Sequence, residues 1–532
     1  MTTASIATIA DFTCIESHPY GVLPGGNIYI DGSEPIKAQR SLLPSDELWQ
    51  NVLSFCDGVS LGRFVQTCRD FYVAGHQPEL WRDLVLRELN QEPLILDFCG
   101  PTWKDTFAQR RCTRVVPPPH VPMAVRGVYS DFYYRTHLCR SFQIPESWMQ
   151  PTTSGVDRVH DISMLDFLTN YEQANKPIVL AGAAKTWKAL QKWTSIDYLT
   201  KMTKGKYFRA TSGAAPLPAQ FSLQSYSQYS SSTILEESPL YLFDRTALLD
   251  TPLHDDYYPD LQRTCPYFDP ARISENGHDL MSLLGEGARP DHTWLIVGPL
   301  RSGSAFHMDP NATHVWNVSI VGRKRWIFYP PGVTPPGVHP SPNGDHVAMP
   351  ISLGEWILNF WNEHVARYRD VPSRRPMECT VEAGDIVFVP HGWWHMVINL
   401  DSTNIAVTHN YASKSNLSTV LRFLQLKEDQ ISGCRDRQES IKPEDLYREF
   451  CKVLKTSYPE WVEEAQQKAN AGWSCAAWRD DTKKEKPKSK QFLNGKRRRI
   501  EEESNNSIMA KAKTSTASDS PTATTGFSFS FL

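Results

Sequence analysis

Hydrophobic residues between positions 42 and 89 recur at the three- and four-residue intervals that are typical of amphipathic helices. The segment PSDELWQNVLSFC places Leu48, Val52 and Cys56 on one stripe, because residues four apart share a helix face. Two further segments, set apart by Asp-Gly and Gly-His-Gln-Pro sequences, repeat this pattern: SLGRFVQTCRDF and PELWRDLVLREL. The pattern predicts three short helices that pack through their apolar stripes.

From about Asp157 to Tyr411 the pattern changes to short apolar runs separated by Gly, Pro and Asn turns. The strand candidates are PIVLAG, TWLIVGP, HVWNVSIVG, KRWIFYP, DIVFVP, HMVINL and NIAVTHNY. Several short strands at this spacing predict a β-sandwich or barrel. One helix is expected inside this region, because Ser352 and Glu355 form a capping-box pattern at the start of SLGEWILNFWNEH.

The remaining segments flank these two regions. Residues 1–40 are rich in small and turn-forming residues and are predicted to be a flexible arm. The segment VVPPPHVP cannot form a helix or a central strand, which predicts a linker over 113–156. Residues 414–475 show helical spacing, whereas residues 479–532 are polar, basic and Ser/Thr-rich and are predicted to be disordered.

Composition narrows the class of protein. The chain has 532 residues, enough for two or three domains at roughly 100–200 residues each. Its 56 basic and 59 acidic side chains give a net charge of −3, so no overall charge favours nucleic-acid or membrane binding. The 11 cysteines are never spaced Cys-x-x-Cys, which argues against a disulfide framework or a cysteine zinc site. No secretory signal pattern and no apolar run of about 18 residues is present, so we expect a soluble intracellular protein without membrane contact.

A histidine and an aspartate stand two residues apart in GSAFHMDPNATHVWN, just before an apolar run. In a β-strand, His307 and Asp309 would project from the same face. Such a pair can hold a metal, relay a proton or form a hydrogen bond. His395, in EAGDIVFVPHGWWHMVINL, would complete a two-histidine, one-carboxylate set that leaves positions on iron(II) open for O₂ and a chelating co-substrate. A zinc pair of His391 and His395 on a helix is the alternative, which the Pro and Gly beside His391 disfavour.

A lysine nearby suggests how such a co-substrate would be held. Gly322-Arg323 is predicted to be the two-residue turn of a hairpin joining HVWNVSIV and KRWIFYP, which places Asn317 and Lys324 on one face. A lysine inside a barrel requires an anion, and the distal carboxylate of 2-oxoglutarate is suitable. The alternative is a solvated charge run in GRKRW. Further hydroxyl and amide groups are available on Ser304, Thr408 and Asn410.

Two long segments, SGSAFHMDPNATHVWNVSIVGRKRWIFYPP and EAGDIVFVPHGWWHMVINLDSTNIAVTHNYAS, resemble the Jumonji-C (JmjC) iron(II)/2-oxoglutarate oxygenases. Within that family they are similar to the branch of the nuclear bifunctional arginine demethylase and lysyl-hydroxylase. The resemblance covers about residues 157–413 and implies a double-stranded β-helix, a cupin-like jelly roll, within a mixed α+β chain. It implies His307, Asp309 and His395 as iron ligands. It also implies these co-substrate contacts: Lys324 at the distal carboxylate, Asn317, Thr408, Tyr241, and Ser304 where the branch usually has threonine.

The resemblance therefore implies a dioxygenase that uses Fe(2+), 2-oxoglutarate and O₂ to hydroxylate or demethylate protein lysine or arginine side chains, with histones among the candidates. Hydroxylation and demethylation share one iron site, so the motif does not separate them. The alternative is a ubiquitin-ligase substrate receptor whose barrel only binds.

Residues 42–89 resemble an F-box, which implies docking to the adaptor of an SCF ubiquitin ligase; the alternative is an ordinary three-helix packing module. Two basic clusters lie between Lys483 and Arg499, which is typical of nuclear-import signals or nucleic-acid patches. The acidic EEE that follows favours import, so we expect a nuclear protein, with the cytoplasm as an additional location.

Overall fold

The computed structural model describes residues 7–13, 17–25, 45–89, 93–111, 121–213, 215, 217–232, 236–249, 251–270, 279–435 and 437–470. The helices are α1 Asp46–Ser54, α2 Gly58–Phe64, α3 Arg69–Ala74, α4 Pro78–Glu88, α5 Trp103–Arg111, α6 Asp131–Ser141, α7 Met164–Phe167, α8 Lys188–Lys192, α9 Ile196–Met202, α10 Leu223–Ser230, α11 His254–Thr264, α12 Leu353–Arg367, α13 Leu417–Leu426, α14 Pro443–Ser457 and α15 Pro459–Asn470. The strands are β1 Thr153–Ser154, β2 Asp157–Val159, β3 Ile178–Leu180, β4 Phe208–Thr211, β5 Ala219–Phe221, β6 Tyr241–Asp244, β7 Thr293–Gly298, β8 Gly303–His307, β9 His314–Val321, β10 Lys324–Tyr329, β11 His339–Pro340, β12 Val347–Ala348, β13 Met377–Val381, β14 Ile386–Val389, β15 Trp394–Asn399 and β16 Asn404–Tyr411.

The N-terminal helices differ from the prediction in number and orientation. The second predicted helix is two helices, α2 and α3, because side chains of the intervening turn bond the last carbonyls of α2. The Gln66 amide donates to the Gly62 carbonyl, and the Thr67 hydroxyl donates to the Phe64 carbonyl. On α1 the stripe of Leu48 and Val52 is exposed instead of packed.

These helices share a core with the rest of the molecule. Buried leucines of α4, including Leu80 and Leu84, belong to the same hydrophobic cluster as strand residues such as Val318. The guanidinium of Arg82 lies 3.0 Å from a carboxylate oxygen of Glu236, and both side chains are almost fully buried. The helical region is therefore anchored to the β-domain through a common core and a buried ion pair.

Two facing sheets form the centre of the fold. In the described residues, one sheet has the strand order β2-β3-β14-β9-β16-β7-β6-β4-β5, and the other has the order β1-β13-β10-β15-β8. Adjacent strands are antiparallel except β2 and β3. Apolar side chains from both sheets meet in one cluster between them, with Val315 and Val387 from the first sheet and Trp326 and Val397 from the second. The predicted β-sandwich or barrel is thus present.

The predicted hairpin between β9 and β10 is wrong, because the two strands lie in different sheets. β9 is already paired on both edges, with β14 and with β16, so no edge remains for β10. Gly322 adopts a φ of 80°, and the backbone N–H and the guanidinium of Arg323 donate to Asp401. The turn therefore carries the chain from one sheet to the other.

The predicted arm and linker are also partly wrong. Phe12 is fully buried against the rings of Trp148 and Trp361, at centroid distances of 5.0 and 4.8 Å. Within the predicted linker, α6 and the segment after it contribute buried residues such as Cys139. Both segments carry apolar side chains that complete the outer face of the second sheet and of α12.

The predicted helices near the C-terminus are present as α13, α14 and α15, which share one hydrophobic cluster. The predicted helix start at Ser352 is present too, because the Ser352 hydroxyl accepts from the Glu355 N–H. The predicted tail, residues 479–532, lies outside the described residues. Among the helices of the described part, none combines the length and apolar character that a membrane span requires.

Candidate metal and co-substrate site

The nine side chains predicted as site residues line a single pocket between the two sheets. They come from six strands and one turn: Tyr241, Ser304, His307, Asp309, Asn317, Lys324, His395, Thr408 and Asn410. Tertiary structure therefore brings together residues that are as much as 169 positions apart in the chain.

Three of these residues form a candidate metal centre. One ligand atom each from His307, Asp309 and His395 lies within 4.8 Å of the others. The two imidazole centroids are 4.2 Å apart, and His395 Nε2 lies 3.8 Å from Asp309 Oδ2. His307 ends β8 and pairs with His395 on β15, whereas Asp309 follows the strand and begins a 3-10 turn. The two residues converge as predicted, although Asp309 is not part of the strand.

Hydrogen bonds orient all three groups. His307 Nδ1 lies 2.8 Å from the Ala305 carbonyl, and His395 Nδ1 lies 3.1 Å from the Trp393 carbonyl. An imidazole that donates from Nδ1 presents Nε2 as its metal-binding nitrogen. The Asn410 amide donates to Asp309 Oδ1 at 3.1 Å, which steers the carboxylate.

The electrostatics of these groups fit a divalent cation. Burial lowers the pKa of both His307 and His395 to about 4, so both imidazoles are neutral near pH 7. Burial raises the pKa of Asp309 to about 6, because a buried carboxylate loses the hydration that stabilises its charged form. Neutral nitrogen donors with one carboxylate, converging in a buried site, match an iron(II) centre of the two-histidine, one-carboxylate type.

Lys324 supplies the second half of the site. Its side chain is 1% exposed, and its ammonium donates to two uncharged oxygens, Asn399 Oδ1 at 3.0 Å and Tyr241 Oη at 3.2 Å. No carboxylate of the described residues forms a salt bridge with it. Burial lowers the pKa of Lys324 to about 7. A dicarboxylate such as 2-oxoglutarate would provide the missing anion.

Three other predicted contacts differ in whether their polar atoms already have hydrogen-bond partners. Asn317 lines the pocket, and its buried Oδ1 lacks a hydrogen-bond partner in the described chain. Thr408 donates its hydroxyl to the Trp316 carbonyl at 3.1 Å. The Asn410 amide nitrogen donates to Asp309 and Thr313, so it helps to position the candidate metal ligand.

Sequence reasoning missed Asn399 and the aromatic wall of the pocket. Asn399 accepts from Lys324 and donates to Ser302, so it positions the ammonium. The sequence did contain a signal for Asn399. Asn399 follows His395 by four residues, so strand alternation places both side chains on the same face of β15. The wall consists of Phe243, Trp294 and Trp326, and nothing in the strand pattern marked these aromatics as pocket residues instead of core.

The remaining histidine candidates lie elsewhere. His395 is in a strand, which rules out the helical zinc pair with His391. His314 is buried and accepts from the His391 N–H. His409 faces the opposite side of its sheet and lies 2.8 Å from the Thr293 hydroxyl.

Comparison with known proteins identifies relatives of this chain. Residues 164–417 match the family model described as "Cupin-like domain". The chain is 38% identical to the arginine-specific demethylase JMJ22 of Arabidopsis thaliana over 462 residues, which cover 85% of this chain and 84% of that protein. The aligned part of this chain is longer than everything that follows residue 113. The alignment with JMJ22 must therefore extend into the N-terminal helical region.

Two other relatives match shorter parts. The bifunctional arginine demethylase and lysyl-hydroxylase psr-1 of Caenorhabditis elegans is 30% identical over 292 residues, 53% of this chain and 66% of that protein. The 2-oxoglutarate and iron-dependent oxygenase JMJD4 of Homo sapiens is 35% identical over 150 residues, 27% of this chain and 34% of that protein.

Proposed function

The chain belongs to the cupin-like JmjC family of iron(II)- and 2-oxoglutarate-dependent oxygenases, and we propose that it hydroxylates or demethylates lysine or arginine side chains of proteins, with histones as candidate substrates. The observation that carries this proposal is the convergence of a complete metal-ligand set and a buried, anion-deficient lysine on one pocket. JMJ22 and psr-1 carry names that specify arginine or lysine chemistry, which supports a protein side chain as substrate.

The residues of the pocket have three proposed roles: binding iron(II), binding 2-oxoglutarate, and orienting the side chains that do so. His307, Asp309 and His395 would hold iron(II), and Lys324 would hold the distal carboxylate of 2-oxoglutarate. When bound, the iron supplies activation of O₂ coupled to decarboxylation of 2-oxoglutarate, with one oxygen atom entering the substrate and the other entering succinate. Asn410 orients Asp309, and Asn399 with Tyr241 orients the Lys324 ammonium.

The aromatic wall excludes water and receives the substrate carbon. Phe243 and Trp294 pack with ring centroids 5.4 Å apart and line the pocket beside the candidate metal ligands. Apolar walls limit competing hydrolysis and hold a side-chain carbon against the reacting centre. If that carbon bears a methylated nitrogen, its hydroxylated product releases formaldehyde, whereas an ordinary side-chain carbon keeps the hydroxyl.

The test is formation of succinate from 2-oxoglutarate by the full chain with iron(II), with histone-derived peptides carrying methylated and unmethylated lysine and arginine. We expect succinate to depend on peptide. Mass spectrometry of the peptides separates the two chemistries, because hydroxylation adds about 16 Da and demethylation removes about 14 Da. A wild-type protein that binds iron(II) and 2-oxoglutarate but modifies no lysine or arginine peptide would contradict the substrate proposal.

An exposed apolar patch favours a second function for the N-terminal helices. The patch consists of Leu48, Val52, Phe55 and Val59, which are all about half or more exposed, with Phe55 at 84%. Adjacent large apolar residues on the surface are typical of a protein-binding site. We propose that this patch docks the adaptor of an SCF-type ubiquitin ligase, as the resemblance of residues 42–89 to an F-box suggests.

The adaptor proposal is tested by co-purification of the full chain with a recombinant SCF adaptor. We expect Phe55→Asp to abolish the complex, whereas Leu426→Asp, at another exposed apolar residue on α13, should leave it intact. Absence of a complex with the wild-type chain would exclude the adaptor function and would leave the oxygenase proposal unaffected.

We also propose a nuclear location, which the basic clusters between Lys483 and Arg499 support. Replacing the basic residues of both clusters with alanine in a fluorescent fusion should move the protein to the cytoplasm. Unchanged nuclear signal would show that import does not depend on this segment, and binding of the wild-type segment to DNA or RNA would favour the nucleic-acid alternative.

A further inference from the structure

The turn that carries Asp309 joins the two facing sheets. His307 ends β8 in one sheet and His314 begins β9 in the other, so residues 308–313, here called the Asp309 turn, cross between the sheets. Asp309 lies outside both strands, and Pro310 beside it lines the catalytic pocket. A residue outside a strand ladder has no ladder hydrogen bonds to fix its backbone, so other contacts must hold Asp309 near the two histidines.

Two consecutive residues of the Asp309 turn adopt a left-handed backbone. Asn311 and Ala312 both have a φ of 55°, in a region that residues with a Cβ atom rarely adopt. Asparagine tolerates this conformation, whereas alanine adopts it at a cost in free energy. The turn therefore does not have the conformation that its own residues favour, and surrounding contacts must maintain it.

The C-terminal region supplies such contacts. The Asn311 amide donates to the Ser432 carbonyl at 3.0 Å, and the Ser432 N–H donates back to Asn311 Oδ1 at 3.0 Å. The Asn416 amide, at the start of α13, donates to the Ala312 carbonyl at 3.1 Å. The side chains that form these bonds are buried, so water competes little for them.

Apolar packing reinforces these hydrogen bonds. Ala312 belongs to the hydrophobic cluster of the C-terminal helices, together with Leu417 and Val420 of α13. A glycine would relieve the backbone strain but would lose this buried methyl group. The Asp309 carboxylate has a separate support, because the Asn410 amide of β16 donates to its Oδ1. Its side chain is thus oriented from β16, whereas the turn behind it is held from the C-terminal region.

We propose that Asn311 and Asn416 are positioning residues for Asp309: by clamping the turn, they keep the carboxylate in reach of a metal bound by the two histidines. The C-terminal helical region is then part of the oxygenase unit, although the three candidate ligands lie elsewhere in the chain. This inference rests on the proposed function, because it requires a divalent metal to bind at those three residues.

Metal affinity tests the proposal without a turnover assay. Mn(II) is the probe, because it accepts nitrogen and carboxylate ligands as iron(II) does and resists oxidation by air. Calorimetry on the full chain without 2-oxoglutarate should show binding that His307→Ala abolishes. Asn311→Gly keeps the left-handed backbone accessible but removes both bonds to Ser432. It should weaken Mn(II) binding at least about tenfold, as is typical when a group that orients a metal ligand is lost.

Two further variants show whether the effect belongs to the turn. Asn416→Ala removes the bond to the Ala312 carbonyl and should weaken Mn(II) binding at least about threefold. Ser440→Ala is the matched control, because its buried hydroxyl donates to the Cys434 and Arg437 carbonyls of the same C-terminal region. It should bind Mn(II) within about twofold of the wild type, even where its Tm falls as much as that of Asn416→Ala.

Cobalt(II) provides a spectroscopic readout. The visible absorption of bound Co(II) depends on the number and geometry of its ligands, so a displaced carboxylate changes the bands. At saturating metal we expect an altered spectrum for Asn311→Gly and the wild-type spectrum for Ser440→Ala. A merely structural role of Asn311 would lower the Tm of the metal-free protein and leave the cobalt spectrum unchanged.

The outcomes separate this inference from the proposed function. Suppose that the wild type binds Mn(II) in a His307-dependent way, but Asn311→Gly and Asn416→Ala match its affinity and cobalt spectrum. The positioning role would then be excluded, and the oxygenase proposal would stand. An equal loss of affinity in Ser440→Ala would also exclude it, because the effect would be one of general stability. If the wild type binds no Mn(II), or His307→Ala binds it equally well, the metal centre itself is wrong and both proposals fail.

Discussion

The catalytic pocket and the patch on α1 and α2 depart from ordinary burial in opposite directions. In the pocket, a lysine ammonium is 1% exposed without a carboxylate partner in the described chain. On the patch, the Phe55 ring is 84% exposed. Buried charges are normally paired, and large apolar side chains are normally covered. We therefore propose a binding partner for each region, a dicarboxylate for the pocket and an apolar protein surface for the patch.

The two regions differ in how closely they specify that partner. The pocket combines a metal-ligand set, a cation and hydrogen-bonding groups at fixed distances, so few molecules fit it. The patch offers apolar area without a polar group at a defined position. Hydrogen-bonding and metal-binding groups at fixed positions restrict which ligand can bind. An exposed apolar area, in contrast, indicates only that some other surface covers it. Substitutions in each region should therefore have separable effects.

The largest effect is expected from His307→Ala, which removes one of three candidate metal ligands. We expect succinate formation to fall at least about 1,000-fold, since iron binding and turnover both depend on the full set. Adaptor binding should be unchanged. His339→Ala, at an exposed histidine of β11, is the matched control and should retain activity. Substantial turnover by His307→Ala would mean that the metal centre lies elsewhere.

A substitution between the two regions tests whether they form one folding unit. Glu236→Gln removes the buried carboxylate beside Arg82 and leaves the guanidinium with the partly exposed Asp83, which should lower the free energy of unfolding by about 3 kcal/mol. Chemical denaturation followed by fluorescence would measure this loss. Glu464→Gln, in an exposed pair with Lys468, should have almost no effect. Equal stability of the two variants would show that α4 is not anchored through Arg82.

Lys324→Ala should raise the KM for 2-oxoglutarate on the order of 100-fold, because the distal carboxylate would lose its cation. Iron(II) binding, measured by calorimetry in the absence of 2-oxoglutarate, should change little, since Lys324 is not among the ligand set. An unchanged KM would contradict the assigned role of Lys324.

The pH dependence of the same residue provides a finer test. Burial lowers the pKa of Lys324 to about 7 in the free protein, so the ammonium form that binds an anion is present below pH 7 and is lost as the pH rises. The KM for 2-oxoglutarate should therefore rise above pH 7, by up to about tenfold per pH unit. Lys324→Arg, which stays charged, should show a flat profile between pH 7 and 9.

The smallest effect on the fold is expected from Phe55→Asp. Because the ring is exposed, the free energy of unfolding should change by less than about 0.5 kcal/mol, and succinate formation should equal that of the wild type. Loss of turnover in this variant would mean that the patch and the pocket are coupled and are not separate binding regions.

Predictions from local pattern were most successful where neighbouring residues decide the structure. The helix α14 spans the predicted segment PEDLYREFCKVLKTS, and β16 spans the predicted NIAVTHNY. The hairpin at Gly322 failed because strand pairing depends on which edges are already occupied, and β14 and β16 occupy both edges of β9. The α1 stripe failed because periodicity shows that a helix has an apolar face but not which face is covered.

By itself, the sequence determined which side chains the site needs: two histidines and a lysine within strands that must be buried, and a carboxylate beside one of those strands. A buried lysine requires an anion whichever strand lies beside it. The anion-binding role of Lys324 was therefore predictable, although the pairing of its strand was not. Only the tertiary structure decided that Asn317 and Lys324 reach the pocket from opposite sheets. It also decided that the Asn410 amide donates a hydrogen bond to the Asp309 carboxylate. It alone brought Ser432 into contact with Asn311 in the turn that carries Asp309. Side-chain chemistry is local to each residue, whereas convergence depends on contacts between strands far apart in the chain.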